Sequence, residues 1–487
     1  MIFTNRFLKS TISTGLIFFC LFIVKQDLIG QDRESFKVTY TSNFILNGVN
    51  QETPFWGWAN QHGLIQSNST NVINSFNISS PSKKLFSNLY AGFESELFIR
   101  ASNTSTIFFP RFFAKFEIEN FDMKIGRFYR TQVLGQNKEY TIGSLLVGSN
   151  ANAFTGYNIR AKRFLSAPLL KGYLKYKFSF GDYITPDNRY VSDVLFHSKD
   201  FYLQVHIGKY RLSAGIIHNA FWGGTSPRFG KLPSGFNDYK RIVFNNSGGS
   251  NALPGEQKNR LGNSVSGYDY AMSYEFENFE LQISKLFFIE DRPASRHRSP
   301  WDGQWNATID FKENRILDYV VYDHVNTKRQ DAKDFEPYGR ADYYYHSIYR
   351  SGFSNRGYVL GNPLIKYEFD RDGISRSVNN VLVAHHVGVK GRINENIAFS
   401  QRATYSRNYG NCFDQLAEPG RCNYEPEDDV ELIPLSELRK DSYYFSSEFI
   451  YRISELNETE ASLILNYDFG ELGKRFGIVI GFKAQIL

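Results

Sequence analysis

The sequence predicts an all-β protein, a transmembrane antiparallel β-barrel of about 16–18 strands with a minor helical element on its periplasmic side. Three observations carry this prediction. The chain begins with an export signal, and alternating apolar and polar residues recur over most of its length. The 487 residues include 44 Phe and 31 Tyr, although the mean hydropathy is negative. Aromatic rings therefore supply much of the apolar content, which suits lipid-facing strands and interfacial girdles.

Residues 475–487 show the alternation most clearly, because apolar side chains are separated throughout by small or polar ones. A period of two places one set of side chains on one face of a strand and the other set on the opposite face. One face therefore suits lipid, and the other tolerates water. The apolar face consists of Phe476, Ile478, Ile480, Phe482, Ala484 and Ile486.

Residues 1–31 have the features of a secretion signal. Arg6 and Lys9 precede an apolar run over residues 15–24, which is too short to span a bilayer and typical of a signal h-region. We expect cleavage near Gln31, which leaves residues 32–487 as the barrel. An exported barrel of this kind is expected in the outer membrane of a Gram-negative cell.

Short connections mark the places where strands turn. Residues 116–125 and 274–283 share one hairpin pattern, in which a Glu-Asn pair separates two alternating runs. Such tight turns belong on the periplasmic side of an outer-membrane barrel. Further turns of this type are predicted at residues 208–209, 391–396 and 454–459.

Consecutive connections of an antiparallel barrel alternate between its two ends, so the side of each long connection can be assigned if the last strand ends in the periplasm. Residues 218–266, 290–342 and 408–440 are then outer loops, of a length that usually means function or folding back into the barrel. Residues 140–165 alternate poorly and carry little charge. We predict a short helix there, outside or beneath the barrel.

Charge and cysteine content agree with an exported chain. The net charge is +6, and the loss of three basic and one acidic residue with the signal leaves a mild balance that does not favour nucleic acid. Cys412 and Cys422 lie close together in a polar stretch, as expected of a disulfide that staples a loop in an oxidising periplasm. Two unpaired thiols are the alternative.

No catalytic or metal-binding signature is present. The motifs H-E-x-x-H, C-x-x-C, G-x-S-x-G and G-x-G-x-x-G are all missing. His385 and His386 are neighbours in one predicted strand, so their rings point to opposite faces and cannot share a metal ion. We therefore expect no enzyme activity, no metal and no cofactor.

The segment at residues 291–305 carries the chemistry of a binding surface. Sugar rings stack their C–H faces on indole, and the carboxylates of an acidic polysaccharide suit the arginine fork. The alternative is that the tryptophans belong to the interfacial aromatic belt and the arginines pair with acids of the wall or of lipopolysaccharide. Residues 343–350, with three consecutive tyrosines, could also line a lumen or a binding surface. The candidate polysaccharide-binding residues are Arg292, Arg296, Arg298, Trp301 and Trp305.

Several elements, in the same order, resemble the capsule-assembly Wzi family of outer-membrane proteins. Residues 347–364 contain Arg-Ser-Gly-Phe followed by Gly-Asn-Pro-Leu, similar to the R-S-G-aromatic and G-N-P-L elements of the family. Residues 215–224 end in Trp-Gly-Gly, and residues 288–303 fall where the family has an acidic, glycine-containing loop. The resemblance spans most of residues 90–487. Phe353 stands where the family has Trp, and Leu487 ends the chain where many barrels have an aromatic residue.

The resemblance implies an eighteen-stranded barrel, with some helix on its periplasmic side, whose outer surface binds capsular or exopolysaccharide and holds it on the cell. Together with the arginine-tryptophan segment, it predicts a non-enzymatic, monomeric barrel with two partners, an acidic polysaccharide and outer-membrane lipid. Long loops that close the lumen would fit this role. The main alternative is a porin whose loops fold inward as a constriction, and a barrel enzyme acting on lipid or glycan is a second.

Overall fold

The computed structural model shows a closed antiparallel barrel of 18 strands. It describes residues 36–487 except 49–51, 132–133, 135–139, 169–171, 186–187, 291–292, 313–315, 331–337, 419–421, 423–429 and 455–457. The predicted signal peptide lies outside the described residues. The strands are β1 Lys37–Asn47, β2 Asn71–Ser79, β3 Leu89–Ala101, β4 Thr106–Ile118, β5 Phe121–Arg127, β6 Thr155–Ala161, β7 Leu174–Ile184, β8 Leu195–Ile207, β9 Tyr210–Trp222, β10 Asn263–Glu275, β11 Phe279–Ile289, β12 Gly303–Phe311, β13 Leu317–Asn326, β14 Leu382–Arg392, β15 Ile397–Asn408, β16 Lys440–Ser454, β17 Thr459–Gly470 and β18 Arg475–Gln485.

The first and last strands close the barrel. Thr39 of β1 pairs with Gln485 of β18, and the two strands stay in register up to Asn47 and Gly477. Because the chain starts and finishes at the same end of the barrel, we call this the terminal end and the opposite one the loop end. The predicted turns at residues 119–120, 208–209, 277–278 and 391–396 all join strands at the terminal end, which confirms their common side. At the predicted turn of residues 454–459, β16 and β17 also meet at this end, where Ser454 pairs with Thr459.

The alternation predicted for the last strand is confirmed in β18. Phe476, Ile480 and Phe482 are exposed on the outer face of the barrel, whereas Gly477 and Val479 are buried towards the interior. Similar apolar side chains are exposed on most other strands. The outer surface is therefore an apolar belt that only lipid or detergent can cover.

Helices are few and short. They are α1 Phe55–Trp58, α2 Phe236–Val243, α3 Pro254–Lys258 and α4 Leu435–Leu438, with 3₁₀ turns at Pro293–Arg296 and Phe413–Gln415. Among the described residues, no helix is long and apolar enough to cross a membrane. All four α-helices lie in loop-end connections, so the helical element expected on the side of the chain termini is at the other end instead.

Small strands extend the barrel at both ends. Lys83–Phe86 adds to β3 and Leu165–Ser166 adds to β7 near the terminal end. Three two-stranded ribbons lie within the loop-end connections. They are Thr225–Ser226 with Gly230–Lys231, Ser354–Asn355 with Tyr358–Val359, and Lys366–Phe369 with Ser375–Asn379.

The long connections differ from the predicted loops in one important respect. The structure has connections at residues 223–262 and 409–439, but the predicted loop at 290–342 contains the hairpin of β12 and β13. That prediction is wrong because it takes Trp305 as part of a loop segment. β12 itself alternates, with the buried amides and hydroxyl of Gln304, Asn306 and Thr308 facing inward between outward apolar residues. The connection that does follow, residues 327–381, is longer than the one predicted.

Irregular segments fill the barrel interior. They come from the connections at residues 48–70, 128–154 and 327–381, and we call them together the plug. Their apolar side chains form one core with the inward side chains of the wall. The predicted helix at 140–165 is wrong, since residues 140–154 are non-helical chain inside the barrel and 155–161 form β6. The fully buried members of the plug include Ile142, Leu145, Leu146, Tyr343, Tyr344 and Phe353.

Candidate functional site

Inward polar side chains of the wall bind the backbone of the plug. Asp323 of β13 accepts a hydrogen bond from Ile142 N at 2.9 Å, and it also accepts bonds from Asn306 and Gln304 of β12. Gln304 Nε2 donates in turn to Gly143 O at 3.0 Å. A buried backbone group without a partner is costly, so these bonds allow irregular chain to lie in a closed interior.

The neighbouring strands β14, β16 and β17 hold the plug in the same way. Asp468 of β17 accepts a hydrogen bond from Phe55 N at 2.8 Å, at the start of α1. The ring of Phe55 stacks on Tyr444 of β16 with centroids 4.5 Å apart. His386 of β14 contacts Tyr140 O through Nε2 at 2.6 Å. The plug is therefore fastened along the inner wall from β12 to β17.

Of the three elements that resemble the Wzi family, the one at residues 347–364 lies in the plug. Gly352 has a φ of +63°, and a Cβ there would meet Tyr344 O at 2.6 Å. A Cβ on Gly361 would lie 2.1 Å from Tyr344 Oη. Phe353 packs against Tyr344, with ring centroids 5.3 Å apart. These glycines are thus needed for close packing around one buried tyrosine, so the motif has a structural role.

A cleft opens above the plug, with a volume of about 520 Å³. We call it the loop-end cleft. The connections at 223–262, 327–381 and 409–439 all contribute to its lining, and Glu290 adds a carboxylate from the end of β11. Its polar and aromatic lining includes Glu256, Arg260, Glu290, Arg340, Asp342, Tyr345, His346 and Phe413.

Burial changes the ionisation of several groups in this cleft. It raises the pKa of the Asp342 carboxyl to about 6, although a hydrogen bond from Asn380 Nδ2 at 2.6 Å opposes the rise. Burial also raises the pKa of Glu256 and lowers the pKa of His346 to about 4. At neutral pH His346 is therefore uncharged, and the cationic groups of the cleft are the two arginines.

The predicted arginine-tryptophan segment lies at the outer rim of the loop end. Arg292 is outside the described residues. Arg296, Arg298 and Trp301 are exposed. His297 between them stacks on Tyr268 of β10 with ring centroids 5.3 Å apart, which places this stretch against the outer face of the wall.

Trp305 belongs to the wall itself, which corrects its prediction as a loop residue. It lies in β12 with its ring exposed on the outer face, and Lys285 Nζ of the neighbouring strand is 5.4 Å from the ring centroid. The structure therefore places the described members of the predicted site on one rim, and the ring of Trp305 points outward from the barrel wall. The interfacial-belt alternative applies most directly to Trp305.

The disulfide loop borders the cleft. Cys412 and Cys422 are joined in a disulfide, and Phe413 and Cys422 both line the cleft. Gln415 Nε2 donates to Tyr338 O at 2.6 Å, which ties this connection to the one at 327–381.

The adjacent histidines of β14 point to opposite faces, as predicted. His386 is buried inside, whereas His385 contacts the hydroxyl of Tyr322 through Nδ1 at 2.8 Å on the outer side. Among the described residues, no group of three or more His, Cys, Asp or Glu side chains could hold a metal ion.

Sequence reasoning missed most of the cleft. Arg260 and Arg340 lie in separate connections without a local motif, so no sequence window contains both. The tyrosine run did give a signal. Tyr343 and Tyr344 are buried in the plug, whereas Tyr345 lines the cleft.

Comparison with solved structures shows that the chain shares its β-barrel fold with known outer-membrane proteins. It is similar in fold to Wzi of Escherichia coli, at 12% identity and a TM-score of 0.57. That protein is described as an outer-membrane protein involved in group 1 capsule assembly and as a carbohydrate-binding β-barrel. The match covers 92% of this chain and 83% of Wzi. OccK5 (OpdH) of Pseudomonas aeruginosa matches at 9% identity and a TM-score of 0.44, over 93% of this chain and 99% of that one. No protein-family model and no curated protein matches the sequence.

Proposed function

We propose that the protein binds an acidic capsular or exopolysaccharide at its loop end and holds it on the outer surface of a Gram-negative cell. The filled barrel interior is the observation that carries the proposal. The plug forms a single core with the wall and is hydrogen-bonded to it on several sides. A large ligand therefore meets the protein at the loop end, where the cleft and the rim segment lie.

The chemistry of these surfaces supports an acidic glycan. The cleft offers two guanidinium groups, Arg260 and Arg340, beside the rings of Tyr345 and Phe413. Arginine forks match carboxylates, and aromatic rings stack on sugars. Arg296 and Arg298 are exposed on the adjacent rim and add two positive charges there, whereas the cleft itself also contains the carboxyl groups of Glu256, Glu290 and Asp342.

The likeness to Wzi supports the same proposal, since that protein is described as carbohydrate-binding. Membership of this chain in the Wzi family is part of the proposal. So are export through residues 1–31, a monomeric state, and binding without catalysis.

The first experiment compares two glycans on the detergent-folded protein. Polygalacturonate is the acidic probe and dextran the neutral one, each measured at low and at raised salt. We expect saturable binding that prefers polygalacturonate and weakens as salt screens the arginines. Absence of binding to either glycan by a folded barrel would refute the proposal.

Two variants then locate the site. The rim variant replaces Arg292, Arg296, Arg298, Trp301 and Trp305 with Ala, and the cleft variant replaces Arg260 and Arg340 with Gln. We expect each to weaken polygalacturonate binding, while Lys209→Gln in a tight turn at the terminal end leaves it unchanged. If both variants are folded and still bind polygalacturonate fully, the binding site lies at other residues.

A conductance measurement distinguishes the porin alternative from the proposed glycan-binding function. A barrel whose interior is filled is expected to give little current in a planar bilayer. A steady conductance comparable to that of open porins, together with no glycan binding, would favour transport instead.

A further inference from the structure

Part of the connection at residues 223–262 folds to a different place from the plug. Leu232 joins the interior core, whereas residues 236–261 lie over the outer face of the wall at β8 to β10 and also border the loop-end cleft. We call residues 236–261 the flap. Ala220 and Trp222 of β9 alternate with Phe221, which points into the interior core, so they lie on the outer side. There they form a separate small core with Ile242, Ala252 and Leu261 of the flap.

Polar groups of the wall fasten the flap. Tyr239 Oη of α2 donates to Asp182 Oδ2 of β7 at 2.7 Å. Lys199 Nζ of β8 donates to the backbone oxygen of Val243 at the last turn of α2. A cation at a helix C-terminus satisfies free carbonyl groups and complements the helix dipole.

The wall beneath the flap is unsuited to lipid. His197 and His218 are outward-facing residues of β8 and β9, and both are buried under the flap. His197 Nδ1 contacts Asp182 Oδ1 at 2.8 Å, and His218 Nε2 contacts Ser264 Oγ at 2.9 Å. Imidazole and carboxylate groups on a lipid-facing wall would be costly. The flap covers them and presents its own outer surface in their place.

That outer surface is apolar with a central cation. Phe236, Lys240 and Phe244 are spaced by four residues, so they share one face of α2 and its C-cap. Both phenylalanines are 72% exposed. Lys240 Nζ lies 4.6 Å from the centroid of the Phe236 ring. The opposite face of the helix is buried through Asp238 and Ile242.

The exposed face continues the apolar belt of the barrel. Phe201 and Ile216, which pair across β8 and β9, are each 45% exposed on the outer wall. They lie two residues nearer the terminal end than the Lys199–His218 pair that the flap covers. At about 3.3 Å per residue, the flap begins roughly 7 Å above this part of the belt. The flap therefore begins directly next to exposed apolar positions of the belt.

We propose that the flap is a lipid-binding element, which inserts Phe236 and Phe244 into the outer leaflet and places Lys240 on the phosphate of an anionic lipid. Continuity with the belt and the positive charge between two exposed rings support this partner. An aromatic pair flanking a lysine is suited to a membrane interface, because the rings bury while the ammonium group reaches the headgroups. The exposed face of α2 does not include Arg260, the flap residue that lines the loop-end cleft, and lipid binding there goes beyond the proposed function.

The test measures depth in a bilayer. Spin labels are attached to single cysteines at Phe236→Cys and Phe244→Cys, with the Cys412–Cys422 disulfide left oxidised, in nanodiscs of phosphatidylcholine and phosphatidylglycerol. Ile216→Cys is the lipid-facing reference and Lys209→Cys the aqueous one. We expect the flap labels to collide with oxygen as the Ile216 label does and to be protected from a water-soluble nickel chelate. Nickel accessibility equal to that at Lys209 would overturn the proposal.

A second measurement tests the lysine. In nanodiscs that contain phosphatidylglycerol, Lys240→Gln is expected to raise the nickel accessibility of the Phe244 label about two- to fivefold, which corresponds to one exposed ion pair. In phosphatidylcholine alone, Lys240→Gln should have no effect. Equal effects in the two lipids would refute the phosphate contact. Polygalacturonate binding by the same labelled proteins reports separately on the glycan site.

Discussion

The wall and the plug of this barrel use apolar residues in opposite ways. The wall turns its apolar side chains outward, so that β18 exposes Phe476 and Ile480 and buries Gly477. The plug gathers its apolar side chains into a core and directs its backbone groups to polar residues of the wall. The inward polar residues that make a strand alternate are therefore also the partners that let irregular chain occupy the lumen.

The largest expected effect comes from breaking a bond between wall and plug. Asp323→Ala leaves the amide of Ile142 and the side chains of Gln304 and Asn306 without their acceptor in a buried site. We expect the free energy of unfolding to fall by roughly 3–5 kcal/mol. Urea titration of the protein in lipid vesicles measures this loss.

Conductance gives the same variant a second readout. A plug released from β13 should let Asp323→Ala conduct more than the parent protein. Val320→Ala, on the outer side of the same strand, is the matched control and should change neither quantity strongly. Equal stability of Asp323→Ala and the parent would show that the plug does not depend on this bond.

A charge on the outer wall is the next largest change. Ile480 is exposed at the middle of β18. Ile480→Arg should lower the free energy of unfolding in a bilayer by about 2–4 kcal/mol, because a guanidinium near the midplane loses its hydration. Ile480→Ala, which shortens the side chain without adding a charge, is the control. If the arginine variant were as stable as the alanine one, this face could not lie in lipid.

Packing inside the plug gives a smaller effect. Gly361→Ala places a methyl group against the hydroxyl of Tyr344, and we expect a loss of about 2 kcal/mol in the free energy of unfolding. Tyr344→Phe in the same chain removes the oxygen and should recover part of the loss. Urea denaturation of both variants and of Tyr344→Phe alone gives the coupling energy. Strict additivity would contradict a direct clash.

The smallest effect concerns pH and the loop-end cleft. Asp342 has a pKa raised to about 6 by burial, so it is ionised at pH 7.5 and mostly neutral at pH 5. Loss of this negative charge should tighten polygalacturonate binding about two- to fivefold on acidification.

Binding isotherms at the two pH values test this prediction, and Asp342→Asn should flatten the dependence. The variant should also bind better than the parent at pH 7.5. An unchanged pH dependence in Asp342→Asn would assign the titration to another group.

Much of the wall could be predicted from the sequence. The tight turns at Glu119-Asn120 and Gly208-Lys209 lie where two alternating runs meet, and they join neighbouring strands in the structure. The hairpin of β12 and β13 was missed because Trp305, an outward ring of β12, lies next to the arginine-tryptophan segment and was interpreted with it as a loop. The inward amides Gln304 and Asn306 donate to Asp323, and Gln304 also donates to the plug backbone, so their role depends on partners distant in sequence.

The candidate site was less accessible from sequence. The arginine-tryptophan segment is visible as a cluster within a short window, and the structure places its described members on one rim. The cleft depends on Arg260 and Arg340, which the fold brings together from different connections. Residues so far apart in the chain leave no local pattern.

The sequence by itself determined the barrel wall, because a period of two is a local property that every strand carries in its own residues. Only the tertiary structure decided where the connections go. Residues 338–381 fold inward, where Tyr344 Oη donates to Leu145 O at 2.5 Å across 199 positions of sequence. Residues 236–261 fold outward onto β8 to β10. Both segments are irregular and partly apolar, and their direction depends on distant partners that a local pattern cannot specify.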